Sequence, residues 1–312
     1  MWSGSVVSPL WARDTVAETV ELERIPSSGP LYRKAIAGAL PLGRRPARDA
    51  PLPDTALTVR GVRVDREHLR RYAGVCGFRL SDALPPTYPH ILAFPLSLAL
   101  MTREDFPFPL VGLVHIGNTI EVLHPLDAAA VLDLTVQAEN LRDHERGRAV
   151  DLVAVATMDG HEVWRSRSAY LRKQGGTTRE GRSEKPTPTT GPPAATDPPA
   201  VSALWQIGTE VGSAYAAVSG DRNPIHTSTL AAKVFGFPRR IAHGMWTKAR
   251  CLAALEGRLD ERYTVDVTFG KPVLLPSTVA FASEHGAAGG WTFGLQDPMT
   301  SGRRHLTGTI AE

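Results

Sequence analysis

Two spacings of apolar residues recur along the chain, in the same order in each half. Tyr263, Val265, Val267 and Phe269 alternate with Thr264, Asp266 and Thr268, the period of a strand with one buried face. Val114, Ile116, Ile120 and Val122 give the corresponding strand of the first half. The runs Val131 to Glu139, Ala149 to Met158 and Glu162 to Leu171 read as further strands, joined by turn signals such as Asp159-Gly160. One helical stretch precedes each strand block. In the second half it covers about Met245 to Arg258, with Met245, Ala249, Leu252 and Leu255 at helical spacing; in the first it covers about Pro95 to Met101. A helix followed by an antiparallel meander is an α+β unit in which the sheet wraps the helix.

The halves read as copies of one unit. Tyr72-Ala-Gly-Val-Cys-Gly77 is matched by Tyr215-Ala-Ala-Val-Ser-Gly220, and Ile120-Glu-Val-Leu-His-Pro-Leu126 by Val267-Thr-Phe-Gly-Lys-Pro-Val273. The two offsets, 143 and 147 residues, are nearly equal, as a duplication requires. Between the copies, residues 173–200 contain no Val, Ile, Leu, Met, Phe, Trp or Tyr. Such a stretch has no apolar surface to bury and is expected to be a disordered linker. The expected organisation is therefore an extended lead-in with one strand over 1–50, a first repeat over 51–172, the linker over 173–200 and a second repeat over 201–312.

Composition narrows the functional classes. A length of 312 residues suits about two domains. A hydrophobic share of 42% and a charged share of 21% are ordinary for globular chains. The net charge of +3 comes without a dense Lys/Arg block, so no nucleic acid is expected as a partner. Two cysteines, Cys76 and Cys251, exclude a disulfide framework and a four-cysteine metal site, and fit a reducing cytoplasm. The most apolar stretch, Ile91 to Met101, has eleven residues, short of the ~20 a spanning helix needs. The first residues lack the basic and apolar regions of a signal peptide.

The chemistry gathers in residues 213–250. Ser219, Gly220 and Asp221 break a short helix that ends near Val218, and Asn223-Pro224 turns the chain. Asp221 and His226 lie five residues apart across that turn and can point into one cavity. Ala231 to Phe235 reads as another short helix, ended by Gly236-Phe237-Pro238. His243-Gly244 precedes the long helix, which puts free N–H groups near Gly244. A carboxylate and an imidazole can share one water, and N–H groups at a helix start can hold an oxyanion. Each residue alone has a plainer explanation: Asp221 as a helix cap, His226 as a core histidine, Gly244 as a packing glycine. Together they suit proton abstraction beside a carbonyl, with loss or gain of water at the next carbon.

The string Tyr215-Ala-Ala-Val-Ser-Gly-Asp-Arg-Asn-Pro-Ile-His226, followed by Gly236-Phe-Pro-Arg-Arg-Ile-Ala-His-Gly-Met245, resembles the MaoC-like dehydratases and R-specific enoyl-CoA hydratases. The resemblance covers residues 205–312. It implies a hot-dog fold, here a double one, and an Asp221–His226 catalytic dyad with the Gly244 N–H as oxyanion donor. Asn223 would orient the loop, Ser219 would support it, and His243 would sit beside the substrate. Thr227-Ser228 departs from the acidic residue that many members carry two positions after the histidine. The implied reaction is reversible dehydration of an (R)-3-hydroxyacyl thioester to the trans-2-enoyl thioester.

The first half resembles a degenerate repeat. Phe78 and Ala83 stand where Asp221 and His226 would be, and Tyr88, His90, Phe94 and Phe106 are candidates for lining a widened acyl tunnel. No cofactor is implied beyond coenzyme A or an acyl-carrier protein as part of the substrate. Arg239, Arg240, Lys248 and Lys271 are candidates for the phosphates or the acidic carrier. The expected assembly is a monomeric pseudo-dimer or a homodimer. A non-catalytic thioester-binding module and a hot-dog thioesterase are the competing readings.

Overall fold

The computed structural model describes residues 18–38, 50–173, 199–287, 289–300 and 302–312. The first half contains β1 (Glu18–Glu21), α1 (Ser28–Gly38), β2 (Thr55–Arg63), α2 (Arg66–Cys76), α3 (Tyr88–Met101), β3 (Leu113–Val122), β4 (Val131–His144), β5 (Gly147–Met158) and β6 (His161–Lys173). The second contains β7 (Val201–Ile207), α4 (Val211–Ser219), α5 (Pro224–Thr227), α6 (Thr229–Val234), α7 (Gly244–Ala254), β8 (Tyr263–Phe269), β9 (Ser277–His285), β10 (Trp291–Gln296) and β11 (Arg304–Ala311). All strands join one sheet in the order β1-β2-β4-β5-β6-β3-β8-β11-β10-β9-β7. Taken inward from its two ends, and setting β1 aside, the sheet runs β2-β4-β5-β6-β3 and β7-β9-β10-β11-β8. The two halves share one strand order and meet at β3 and β8. This is the double hot dog, an α+β fold in which each half-sheet curls around one buried helix, α3 or α7.

Local chemistry explains both copies. Asp65 caps α2 by accepting the Glu67 and His68 N–H groups. Gly77 ends α2 and Gly220 ends α4 in left-handed backbone, with φ of 82° and 74°, which is why the repeated motif closes on glycine each time. Asp159 and Gly160 turn β5 into β6 with positive φ at both positions. Helix α3 begins at Tyr88, earlier than its sequence suggests. Pro89 lies in its first turn, where proline is tolerated, Pro95 lies inside it, and nearly every position is buried. A helix apolar on all sides has no amphipathic period to detect.

Strand β3 departs instructively from simple alternation. Against β6, His115 pairs with Tyr170 and Gly117 with Ala169, which leaves Ile116 as an extra residue. The bulge inverts the facing of everything before it. Val114, expected inside, is 37% exposed, while Asn118 and Ile120 are buried.

The lead-in holds the expected strand, β1, paired in parallel with β2, and also the unexpected helix α1. Most of the expected linker, residues 174–198, lies outside the described residues. Among the described residues no helix is long and apolar enough to cross a membrane.

The seam between the halves is the antiparallel pairing of β3 with β8, from Gly117 opposite Thr268 to Val122 opposite Tyr263. Thr119 donates to the Asp266 carboxylate across it at 2.6 Å. Lys248 of α7 lies directly beneath and is fully buried. Its Nζ donates to the Asn118 carbonyl at 3.0 Å, to Asn118 Oδ1 at 2.6 Å and to the Val265 carbonyl at 3.1 Å. Asn118 in turn donates to Ser166 and Ser168. The sequence reading placed Lys248 at the entrance with the other cations. Instead, its Nζ, surrounded by three oxygens, joins both repeats to one helix, and burial pushes it well below the ordinary lysine value. Replacing Lys248 by Ala leaves a cavity and orphaned oxygens, an expected loss of about 3 kcal/mol or more, measured as a lower urea midpoint. An unchanged midpoint would show that the network contributes nothing.

Candidate active site

The segment after α4 folds on itself through short-range hydrogen bonds. Ser219 Oγ donates to the Tyr215 carbonyl at 2.8 Å and accepts the Asp221 N–H at 3.2 Å. Asp221 Oδ1 accepts the Asn223 N–H at 3.2 Å, and Asn223 Oδ1 accepts the Ile225 N–H at 3.3 Å. Asn223 thereby caps α5, and Pro224 fills its first turn. This series of Asx turns fixes where Asp221 and His226 point. From beneath, a Cβ on Gly212 of α4 would fall 2.1 Å from the His226 carbonyl oxygen, so only glycine lets the loop sit this low.

His226 is buried, and its Nδ1 lies 2.8 Å from the Ile241 carbonyl. A carbonyl only accepts, so Nδ1 carries the proton and Nε2 keeps a bare lone pair. His243 stacks on this ring with centroids 3.6 Å apart. Its Nε2 donates to the Asp221 backbone carbonyl at 3.0 Å and lies 3.9 Å from Asp221 Oδ2. One ligating atom from each of Asp221, His226 and His243 falls within 4.8 Å of the other two. Two hydrogen bonds of about 2.8 Å meeting at a near-tetrahedral angle span about 4.6 Å, so one water can bridge carboxylate and imidazole. With its Nε2 proton given to a carbonyl, His243 keeps a bare Nδ1 that is buried without a hydrogen-bond partner among the described residues.

Electrostatics separates the roles. Burial pushes the Asp221 carboxyl up, but His243, His226, the Tyr32 hydroxyl and the Asn223 N–H outweigh it and hold it below its ordinary value. Burial lowers His226 despite the pull of Asp221. It pushes His243 down to about 3, aided by His226. The site therefore pairs one ionised carboxylate with two neutral imidazoles near neutral pH.

Gly244 opens α7, whose first N–H groups have no preceding turn to bond to. A Cβ there would lie 3.2 Å from the Phe269 ring, which leaves the helix start closely packed. Arg239 and Lys271 are exposed and Arg240 is half-buried. Arg239 donates to the Pro276 carbonyl. Among the described residues none of these three bonds to the dyad.

Of the first-half candidates, Phe106 packs edge-on to Phe108 in the core, and Tyr88 meets His68 Nδ1 through its hydroxyl at 2.9 Å. Phe94 is buried with its ring 6.4 Å from that of His90. Burial pushes His90 down to about 4 and His115 to about 3, and both respond to the Asp221 charge. His115 stacks on Tyr170 at 4.6 Å and meets Phe269 edge-on at 4.9 Å.

Sequence reasoning missed Tyr32 altogether. This residue of α1 donates its hydroxyl to Asp221 Oδ1 at 2.5 Å. The only local trace is the helix-compatible run Leu31 to Ala37 in an otherwise irregular lead-in.

Comparison with known proteins agrees with this picture. Residues 182–295 match the family model described as MaoC like domain. The 3-hydroxyacyl-thioester dehydratase X of Mycobacterium tuberculosis is 39% identical over 277 residues, covering 89% of this chain and 95% of that protein. A crystal structure of HtdX from the same organism superposes with a TM-score of 0.70 at 36% identity, covering 82% of this chain and 98% of that one. A MaoC-like dehydratase from Phytophthora capsici shares the fold at 20% identity, with a TM-score of 0.67 over 85% of this chain and 95% of that one. With a relationship this close over nearly its whole length, the chain belongs to the MaoC-like dehydratase family.

Proposed function

We propose that the protein is a hydro-lyase that interconverts 3-hydroxyacyl and trans-2-enoyl thioesters, with the R configuration at carbon 3. The observation that carries this reading is the gathering of Asp221, His226 and His243, with one ligating atom of each within 4.8 Å of the others, a carboxylate held below its ordinary value and a His226 whose Nδ1 proton is taken by a carbonyl, just before the first turn of α7. In the hydration direction the water attacks carbon 3 and gives its proton to Asp221. The thioester oxygen gains charge and is held by the Gly244 N–H. The proton taken up by Asp221 is the one returned to carbon 2, either directly or by way of the His226 Nε2 lone pair, which restores the ionised carboxylate and the neutral imidazole. Acid–base chemistry of this kind needs no cofactor beyond the thioester carrier.

Coenzyme A or an acyl-carrier protein is the carrier we infer. Arg239, Arg240 and Lys271 offer positive charge at the surface of the second half, suited to phosphates or to an acidic carrier. Salt sensitivity of KM with the carrier protein but not with coenzyme A would select the former. We place the protein in the cytoplasm because its two cysteines are free and buried. A pair of hot dogs in one chain already contains the pairing that single ones make by dimerising, so a monomer or a dimer of such pairs is compatible with the fold.

Asp221→Asn and His226→Ala are each expected to lower kcat by about 10²–10⁴ with folding intact. The assay is the enoyl absorbance of a short enoyl-CoA that the parent protein turns over. Near-parental rates for Asp221→Asn would reject the dyad, and binding without turnover by the parent would select a non-catalytic module.

The pH profile follows from the same groups. The active form has Asp221 deprotonated and His226 neutral, and both lie below their ordinary values. Lowered values move the loss of activity toward acid. kcat/KM should therefore stay level through neutrality and fall only below about pH 6, under the ordinary histidine value of about 6.5. A profile that still rises between pH 7 and 8 would contradict this assignment.

A further inference from the structure

We propose that Tyr32 is a positioning residue for the reaction: its hydroxyl, carried on the lead-in helix α1, holds Asp221 Oδ1 so that the other oxygen faces the imidazoles and the water. This rests on the dyad reading above and extends it to a part of the chain outside both repeats.

The geometry is specific. Tyr32 donates to Asp221 Oδ1, the oxygen that also accepts the Asn223 N–H. Those two bonds leave Oδ2 as the oxygen nearer His243 Nε2, at 3.9 Å. Helix α1 is held against the loop at a second point one turn earlier. Ser28 is buried, and its Oγ lies 2.8 Å from where a Cβ on Gly220 would be. Ser28, Tyr32 and buried Ala35 recur at helical spacing, so a single face of α1 covers the loop.

The electrostatics agree with a fixed donor. Burial, and then the Asp221 charge, push the Tyr32 hydroxyl far above its ordinary value, so it remains a proton donor throughout the working range. The other titratable groups that interact with Asp221 are His226, His243, Tyr215, Tyr170, His90 and His115. The imidazoles are neutral at working pH and the phenols stay protonated. Tyr32 is the one among them whose side chain bonds directly to the carboxylate. A phenol on a carboxylate stabilises the ionised form.

Tyr32→Phe removes the donor and keeps the ring. The Asp221 carboxyl should then titrate about one pH unit higher, read by carbon-13 resonance without substrate. At neutral pH kcat should fall about tenfold, with KM within about twofold, because a misaimed base slows chemistry rather than binding. Placing 3-fluorotyrosine at position 32 keeps the shape but strengthens the donor, and should move the Asp221 titration down. A role in packing alone would leave that titration in place for both variants.

Asp221→Asn is measured alongside. If Asp221→Asn keeps parental activity, the dyad fails and this proposal with it. If Asp221→Asn is inactive but Tyr32→Phe leaves kcat and the Asp221 titration unmoved, the Tyr32 assignment alone is overturned. A Tyr32→Phe protein faster than the parent would show the phenol to be an obstruction, which also overturns it.

Discussion

A single buried lysine ties the molecule together. Lys248 reaches from α7 to oxygens on β3 and β8, one strand from each repeat. A buried amine without hydrogen bonding would be costly, and burial pushes this one well below the ordinary lysine value; here its nitrogen meets three oxygens. The consequence reaches the site because Gly244 lies one helical turn before Lys248. Anchoring the lysine in the seam sets both the depth and the rotation of α7, and so the direction in which its first N–H groups point. The pairing of the halves and the aim of the helix start are one constraint.

A second layer of order is local. The loop from Ser219 to His226 is shaped by side chains bonding backbone two to four positions away, so it holds its form without a large core of its own. Around it burial lowers the imidazoles, while His243, His226 and the bonds from Tyr32 and Asn223 hold one carboxylate below its ordinary value. The first repeat takes part in this. Its loop lacks the aspartate and histidine, yet its bulged β3 directs His115 onto Tyr170 and Phe269, and His90 is buried nearby. The first repeat thus brings two buried imidazoles within reach of the Asp221 charge.

How much of this was legible in the sequence depended on range. Alternating residues mark β8, which records its own buried face, while β4, β5 and β6 are marked by strand-like runs between turn signals. The Asp221 to His226 turn was legible because its bonds are short in sequence. Lys248 was misread as a surface cation: a helical lysine says nothing of the carbonyls above it until two strands pair. Val114 and Ile116 were misassigned because a bulge shows itself only against its partner strand. Tyr32 had a helix-compatible run around it but no signal of its role, being 189 residues from the carboxylate it bonds.

The β3–β8 seam also bears on how such a chain can change over generations. Once the two copies share one continuous sheet, the edge strand of the silent copy is as indispensable as the loop of the active one, since losing it would strip β8 of its partner and leave a bare edge open to adventitious pairing. Variation in the first copy is thus permitted in its turn, where Phe78 and Ala83 stand at the positions of Asp221 and His226, and forbidden at its border. Redundancy freed one loop but conscripted the neighbouring strand.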